Sequence, residues 1–153
     1  MKIQLHNQQT KHRLNLNHLH DLAAWLGEQI EVQGVRWGEV TLLLCDDATM
    51  IPYNRTYFSK DNSTDVISFS QEPIPGEPDE LTGDLIINVE RAFLEGQQHD
   101  GIDFELAFYI AHGFDHLNGA TDDTLEQREA MHQREKSWLA EASKKGVFKP
   151  LFA

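Results

Sequence analysis

The sequence predicts an α+β domain, a small sheet covered by helices. Three observations carry that expectation. Apolar residues recur at helical spacing, as in Leu19, Leu22, Ala23, Leu26 and Ile30. Short β-prone runs, such as Thr64 to Phe69 and Asp84 to Asn88, lie between the helical stretches. The two kinds of segment are interleaved irregularly, with helical residues in the majority.

Residues 2–6 alternate weakly and suit an edge strand. Asn17 is placed to cap a first helix that runs through Ile30. Gly34 and Gly38 break the chain before a strand at about 39–45. Asp46 and Asp47 offer an N-cap for a short helix that includes Met50 and Tyr53. Thr64 to Phe69 reads as a strand with Val66 and Ser68 on the face opposite Ile67 and Phe69. A Pro-rich loop from Glu72 to Thr82 follows, then a strand over Asp84 to Asn88 and a helix at about 89–97. The next helix runs from about 103 to 118, is apolar through Leu106, Ala107, Phe108, Ile110 and Ala111, and stops at Gly119. The last begins near Asp123 and Thr124, with Glu126 and Gln127 placed for a capping box. Without repeats or a linker, residues 1–153 read as a single domain.

Composition excludes several classes. No apolar run approaches the roughly 18 to 20 residues that cross a bilayer, and the N-terminus turns polar at once, unlike a signal peptide. Both facts point to a cytoplasmic protein. Cys45 is the lone cysteine, so intrachain disulfides and multi-cysteine metal sites are excluded. It closes an apolar run beside Asp46 and Asp47, the setting of a buried, inert thiol rather than a nucleophile. Thirteen Lys and Arg against 25 Asp and Glu give a formal charge of −12, which repels phosphate backbones at long range. Nucleic acid could then be bound only at a local patch, for which Arg55, Lys60 and Arg91 are the candidates.

The chemistry lies in His112 to Asp122. Two histidines four apart on a helix differ by about 40° in direction and about 6 Å in height, so both imidazoles can reach one ion. Gly119 lets the chain turn back, and Asp122 can bring a carboxylate to the same point. Two His and one carboxylate form a catalytic zinc set that leaves a position open for water. Position 113 is Gly, so the general-base glutamate of the H-E-x-x-H proteases is missing and a peptidase is disfavoured. Asp115 lies about 60° around the helix from His112, close enough to serve as a second acid. It can be a fourth ligand, an acid that orients water or a ligand histidine, or a solvent-facing residue. His6, His12, His18, His20, His99 and His132 read as surface residues, and no base accompanies Ser68 to make it a nucleophile.

These residues resemble the signature H-G-x-L-H-L-x-G-Y-D-H of the YbeY family, metal-dependent endoribonucleases of bacterial ribosomal RNA maturation. Asn54-Arg55-Thr56-Tyr57 and Thr64 to Phe69 are similar to the family's N-R-x-Y and T-D-V-L-S-F elements, and Gly83 to Ile87 to its G-D-I-x-I strand. Glu105, Met131 and Glu135 also fall at family spacings. The resemblance spans about residues 40–140. This chain departs from the pattern in four places. Asp122 stands where the third ligand is usually His, Ala120 and Thr121 replace Tyr and Asp, Asp115 replaces a leucine, and Phe58 replaces an arginine thought to help catalysis.

The resemblance implies a mixed, mostly parallel four-stranded sheet with the metal site at a helix end. It implies hydrolysis of single-stranded RNA phosphodiesters, with a role in small-subunit (16S) ribosomal RNA maturation and ribosome assembly. The expected site is one zinc ion on His112, His116 and Asp122, with Asp115 as an acid beside it and Arg55 or Lys60 supplying the missing positive charge. The expected partners are ribosomal RNA and the small ribosomal subunit, with neither DNA nor a membrane. Two other readings stand beside it: a metallohydrolase of another small substrate, and a ribosome-associated binding protein whose metal is structural.

Overall fold

A computed structural model describes residues 1–31 and 36–153. In chain order the elements are β1 (Lys2–Asn7), α1 (Leu16–Glu31), β2 (Trp37–Cys45), α2 (Asp47–Phe58), β3 (Val66–Gln71), β4 (Leu81–Asn88), α3 (Val89–Gly96), α4 (Ile102–Leu117) and α5 (Leu125–Lys144). The strands form one sheet in the order β1-β2-β4-β3, parallel across the first two pairings and antiparallel across the last. This is the mixed, mostly parallel sheet that the family resemblance implies.

Strand alternation assigns the two faces of the sheet. Val40, Leu42, Leu44, Leu85 and Ile87 point into the main core, against α1, α3, α4 and α5. Cys45, Ile67 and Ile86 point the other way and pack under Met50 of α2. β4 is covered on both faces, so Leu85, Ile86 and Ile87 are all buried and show no polar alternation. α4 is apolar nearly all round because α1, α3, α5 and the sheet enclose it. Gly113 permits its close approach to the sheet: a Cβ there would lie 2.9 Å from a Leu85 methyl and 3.2 Å from Val66 Cγ2. The histidine helix is thereby laid flat on β3 and β4.

Element boundaries differ from the sequence reading where tertiary contacts set them. α1 begins at Leu16, not after Asn17. Asn15 holds that end, accepting from the Leu19 N–H and donating its amide to Pro150 O at 3.0 Å. Gly38 lies inside β2, at the pairing irregularity between Trp37 and Glu39, while Gly34 falls outside the described residues. β4 starts at Leu81 rather than Asp84, because Leu81, Thr82 and Gly83 already pair with β2. β3 starts at Val66 rather than Thr64, since Asp65 accepts the Val66 N–H with its own carboxylate at 2.7 Å. Asp46 caps α2 and Thr124 caps α5, the latter through a full capping box with Gln127. Cys45 is fully buried, and burial pushes its thiol up to about 12. Among the described residues, no helix is long and apolar enough to cross a membrane.

Candidate metal centre

α4 ends in a Schellman turn. Gly119, at φ 95°, donates its N–H to His116 O at 2.9 Å, and Ala120 donates to Asp115 O at 3.2 Å. A side chain at position 119 would strain this left-handed backbone. The turn folds the chain back along α4 and sets two groups at once. Ala120 O meets His116 Nδ1 at 3.0 Å, and Asp122 reaches both imidazoles.

The three donor atoms converge. His112 Nε2 and His116 Nε2 lie 3.0 Å apart, and Asp122 Oδ2 is 3.6 Å from the first and 3.5 Å from the second. Ligand bonds of 2.0–2.2 Å at tetrahedral angles would put donors about 3.4 Å apart, so the trio fits one zinc-sized ion. The hydrogen bonds fit as well. Nδ1 of His112 meets Glu135 at 2.9 Å and Nδ1 of His116 meets a carbonyl, both acceptors, which places the protons on Nδ1. Two Nε2 lone pairs then face each other across 3.0 Å, an arrangement that a cation or a shared proton must stabilise. His112, His116 and Asp122 are thus a possible metal site.

A buried carboxylate layer supports it. Met131, Glu135 and Leu139 form the inward face of α5, and Glu135 is fully buried there. Burial raises its carboxyl to about 7, against the opposing pull of His112. His112 itself is desolvated, which disfavours its charged form. The Glu135 hydrogen bond and charge, with Asp65 and Asp122 beyond, outweigh this and hold its pKa above the usual imidazole value. Asp115 is also fully buried and abuts Glu135. Its two oxygens accept from Arg134 Nε and Nη2 at 2.9 and 3.0 Å. It therefore lies on the α5 side of the helix, neither facing solvent nor grouped with the three donors. The chain Arg134–Asp115–Glu135–His112 instead connects it to a ligand candidate from behind.

The donors open onto a cleft of about 470 Å³, within the usual size of ligand sites. β3 supplies Val66 and Ser68 to its floor, and the end of α2 with the following loop supplies Phe58, Lys60, Thr64 and Asp65. That loop is pinned. Asn54 Nδ2 donates to Asn62 O at 2.8 Å, while buried Asn88 donates to Asp47 at 2.6 Å and Thr64 O at 3.1 Å. Lys60 is the sole Lys or Arg lining the cleft among the described residues. Arg55, expected to supply charge here, points to exposed Asp61 instead, and Arg91 lies on α3 away from the cleft.

Sequence reasoning missed the tasks of Glu135 and Arg134. An acid at i+4 from Met131 and i−4 from Leu139, on an apolar stripe, was the available signal for Glu135. His132 is exposed, yet its ring lies 6.0 Å from that of His112. Burial and the neighbouring His112 charge lower its pKa.

An α+β fold that gathers two imidazoles and a carboxylate at a cleft has the donor set with which metal-dependent hydrolases hold an ion. The family model described as Endoribonuclease YbeY matches residues 4–143, and the chain belongs to the YbeY family. An endoribonuclease YbeY of Moorella thermoacetica is 37% identical over 150 residues, covering 92% of this chain and 96% of its own. One from Phocaeicola vulgatus is 32% identical, covering 78% and 85%. The solution structure of TM1509 from Thermotoga maritima superposes with a TM-score of 0.58 at 17% identity, over 96% of this chain and 95% of its own, a likeness of fold.

Proposed function

We propose that the chain is a zinc-dependent endoribonuclease that hydrolyses phosphodiesters of single-stranded RNA. Its place is the cytoplasm, in maturation of the small-subunit (16S) ribosomal RNA. The observation that carries this is the meeting of His112 Nε2, His116 Nε2 and Asp122 Oδ2 at a cleft wall, in a chain of the YbeY family. Two imidazoles and one carboxylate suit zinc and leave a coordination position open. When bound, such an ion polarises a phosphoryl oxygen and lowers the pKa of water toward neutrality.

The remaining tasks fall to the chain's own side chains. Glu135 and Ala120 O hold the two imidazoles in the Nδ1–H form, with Nε2 free to face an ion. Asp115 acts through Glu135 as a positioning residue. Lys60 faces the negative charge of a phosphate in the cleft, and Arg55 meets the strand beyond it. Asp65 is placed to accept a hydrogen bond from a ribose 2′-hydroxyl, the group that separates RNA from DNA.

The scarcity of cations at the cleft favours a second reading, hydrolysis of a small ester or amide. One assay separates them. Zinc-loaded protein should cleave single-stranded precursor ribosomal RNA, a chelator should abolish cleavage, and added zinc should restore it. Turnover of small esters without RNA cleavage would replace the first reading by the second.

A further inference from the structure

We infer that Phe58 is a stacking platform for a nucleobase, forming a base subsite across the cleft from the His112–His116–Asp122 group. The inference rests on the endoribonuclease reading and names how that cleft grips its substrate.

Phe58 is the last residue of α2 and is 51% exposed, although it lines the cleft. Its neighbour Tyr57 is equally exposed but packs on Phe69, with ring centroids 4.8 Å apart. Phe58 makes no aromatic contact among the described residues, so its ring face is available. The backbone fixes it there. Ser59 has φ 55°, the one positive value at a non-glycine among the described residues. Its N–H closes the helix on Arg55 O at 3.0 Å, and Asn54 ties the following loop through Asn62. A left-handed Ser is an uncommon conformation, and here it stands between Phe58 and Lys60, both of which line the cleft.

Electrostatics favour a contact that needs no charge. The chain carries a formal charge of −12, and among the described residues Lys60 is the one Lys or Arg that lines the cleft. Phosphate contacts can then release few counterions, so little of the affinity can be electrostatic. Base–aromatic stacking supplies binding without charge and accepts any base. The cleft floor offers Ser68 and Val66, which do not compete for a π face.

The test measures binding of a short single-stranded 2′-O-methyl RNA, which stacks like RNA and resists cleavage, to zinc-loaded protein. A matched oligonucleotide with abasic positions serves as the second probe. Phe58→Ala should weaken binding of the first probe by roughly 5- to 100-fold and leave the abasic probe unchanged. Phe58→Trp should restore affinity, whereas Phe58→Leu, which keeps apolar bulk without a π face, should not. The salt dependence should be the same in all three, while Lys60→Ala should make it shallower by about 0.7 of a charge equivalent. Equal binding by Phe58→Ala and wild type, with the Lys60 effect intact, would overturn the base subsite and leave the endoribonuclease reading standing. Wild type that binds neither probe and cleaves no RNA would overturn both.

Discussion

Glu135 shows how a single residue governs the site. Its carboxylate holds His112 from behind, so Glu135→Leu should weaken zinc affinity by roughly 10- to 100-fold, with Glu135→Gln recovering part of the loss. Competition with a chromophoric chelator measures this, and unchanged affinity in the Leu variant would refute the role. The same residues predict a pH dependence. Glu135 and His112 both hold protons more tightly in the folded, metal-free chain than in the unfolded one. Their stabilisation is therefore complete at low pH and is lost as pH rises, for Glu135 through about 7 and for His112 above the usual imidazole range. An ion needs His112 neutral, so its binding tightens as pH rises. The gap in Tm between zinc-loaded and chelated protein should widen from about pH 5 to pH 8, and a constant gap would count against the proposed ligands.

Asp115 and Arg134 separate two kinds of loss. Asp115 is fully buried, whereas the Arg134 side chain is 41% exposed. Removing the arginine strands a buried carboxylate against Glu135, so Arg134→Ala should destabilise by about 3 kcal/mol. Asp115→Leu lets the arginine return to water and fills the space with apolar bulk, so it should be neutral or stabilising and should keep the metal. Thermal or urea denaturation reads both, and metal loss in Asp115→Leu would make Asp115 a ligand after all. The i,i+4 histidines, the glycine turn and Asp122 were legible in the sequence because they are local. Arg134, 19 positions after Asp115, was not, because nothing local marks two residues on different helices as neighbours.

At the scale of elements, α4 was legible from its apolar periodicity and its glycine stop, and its end positions the whole site. The starts of α1, β3 and β4 were not, because each is set by a partner far away in sequence or by a side chain that competes for a backbone N–H. Strand direction and order are invisible to periodicity, since the buried strands β2 and β4 read alike; the family resemblance supplied the mixed, mostly parallel character, and the structure alone gives the order β1-β2-β4-β3. The contact of α4 with the sheet can be tested directly. Gly113→Ala would press a methyl into Leu85 and Val66, and overpacking of this kind costs about 1–3 kcal/mol. Denaturation should show that loss despite alanine's better helix propensity. A variant as stable as wild type would mean that α4 can move off the sheet freely.

For the molecule as a whole, a sheet covered on both faces carries α4 so that its last turn, a glycine reversal and one loop from α2 enclose a single cleft. The chain carries a formal charge of −12 and Lys60 is the one Lys or Arg lining the cleft among the described residues, so the ion proposed on the trio would be the main positive charge that a phosphodiester meets there. Everything proposed for this chain depends on that ion being held by His112, His116 and Asp122. Native mass spectrometry of the zinc-reconstituted protein and of His116→Ala tests it most directly. Wild type should carry one zinc per chain and His116→Ala should retain none. A wild type that retains no zinc, or a variant that retains as much as wild type, would contradict it.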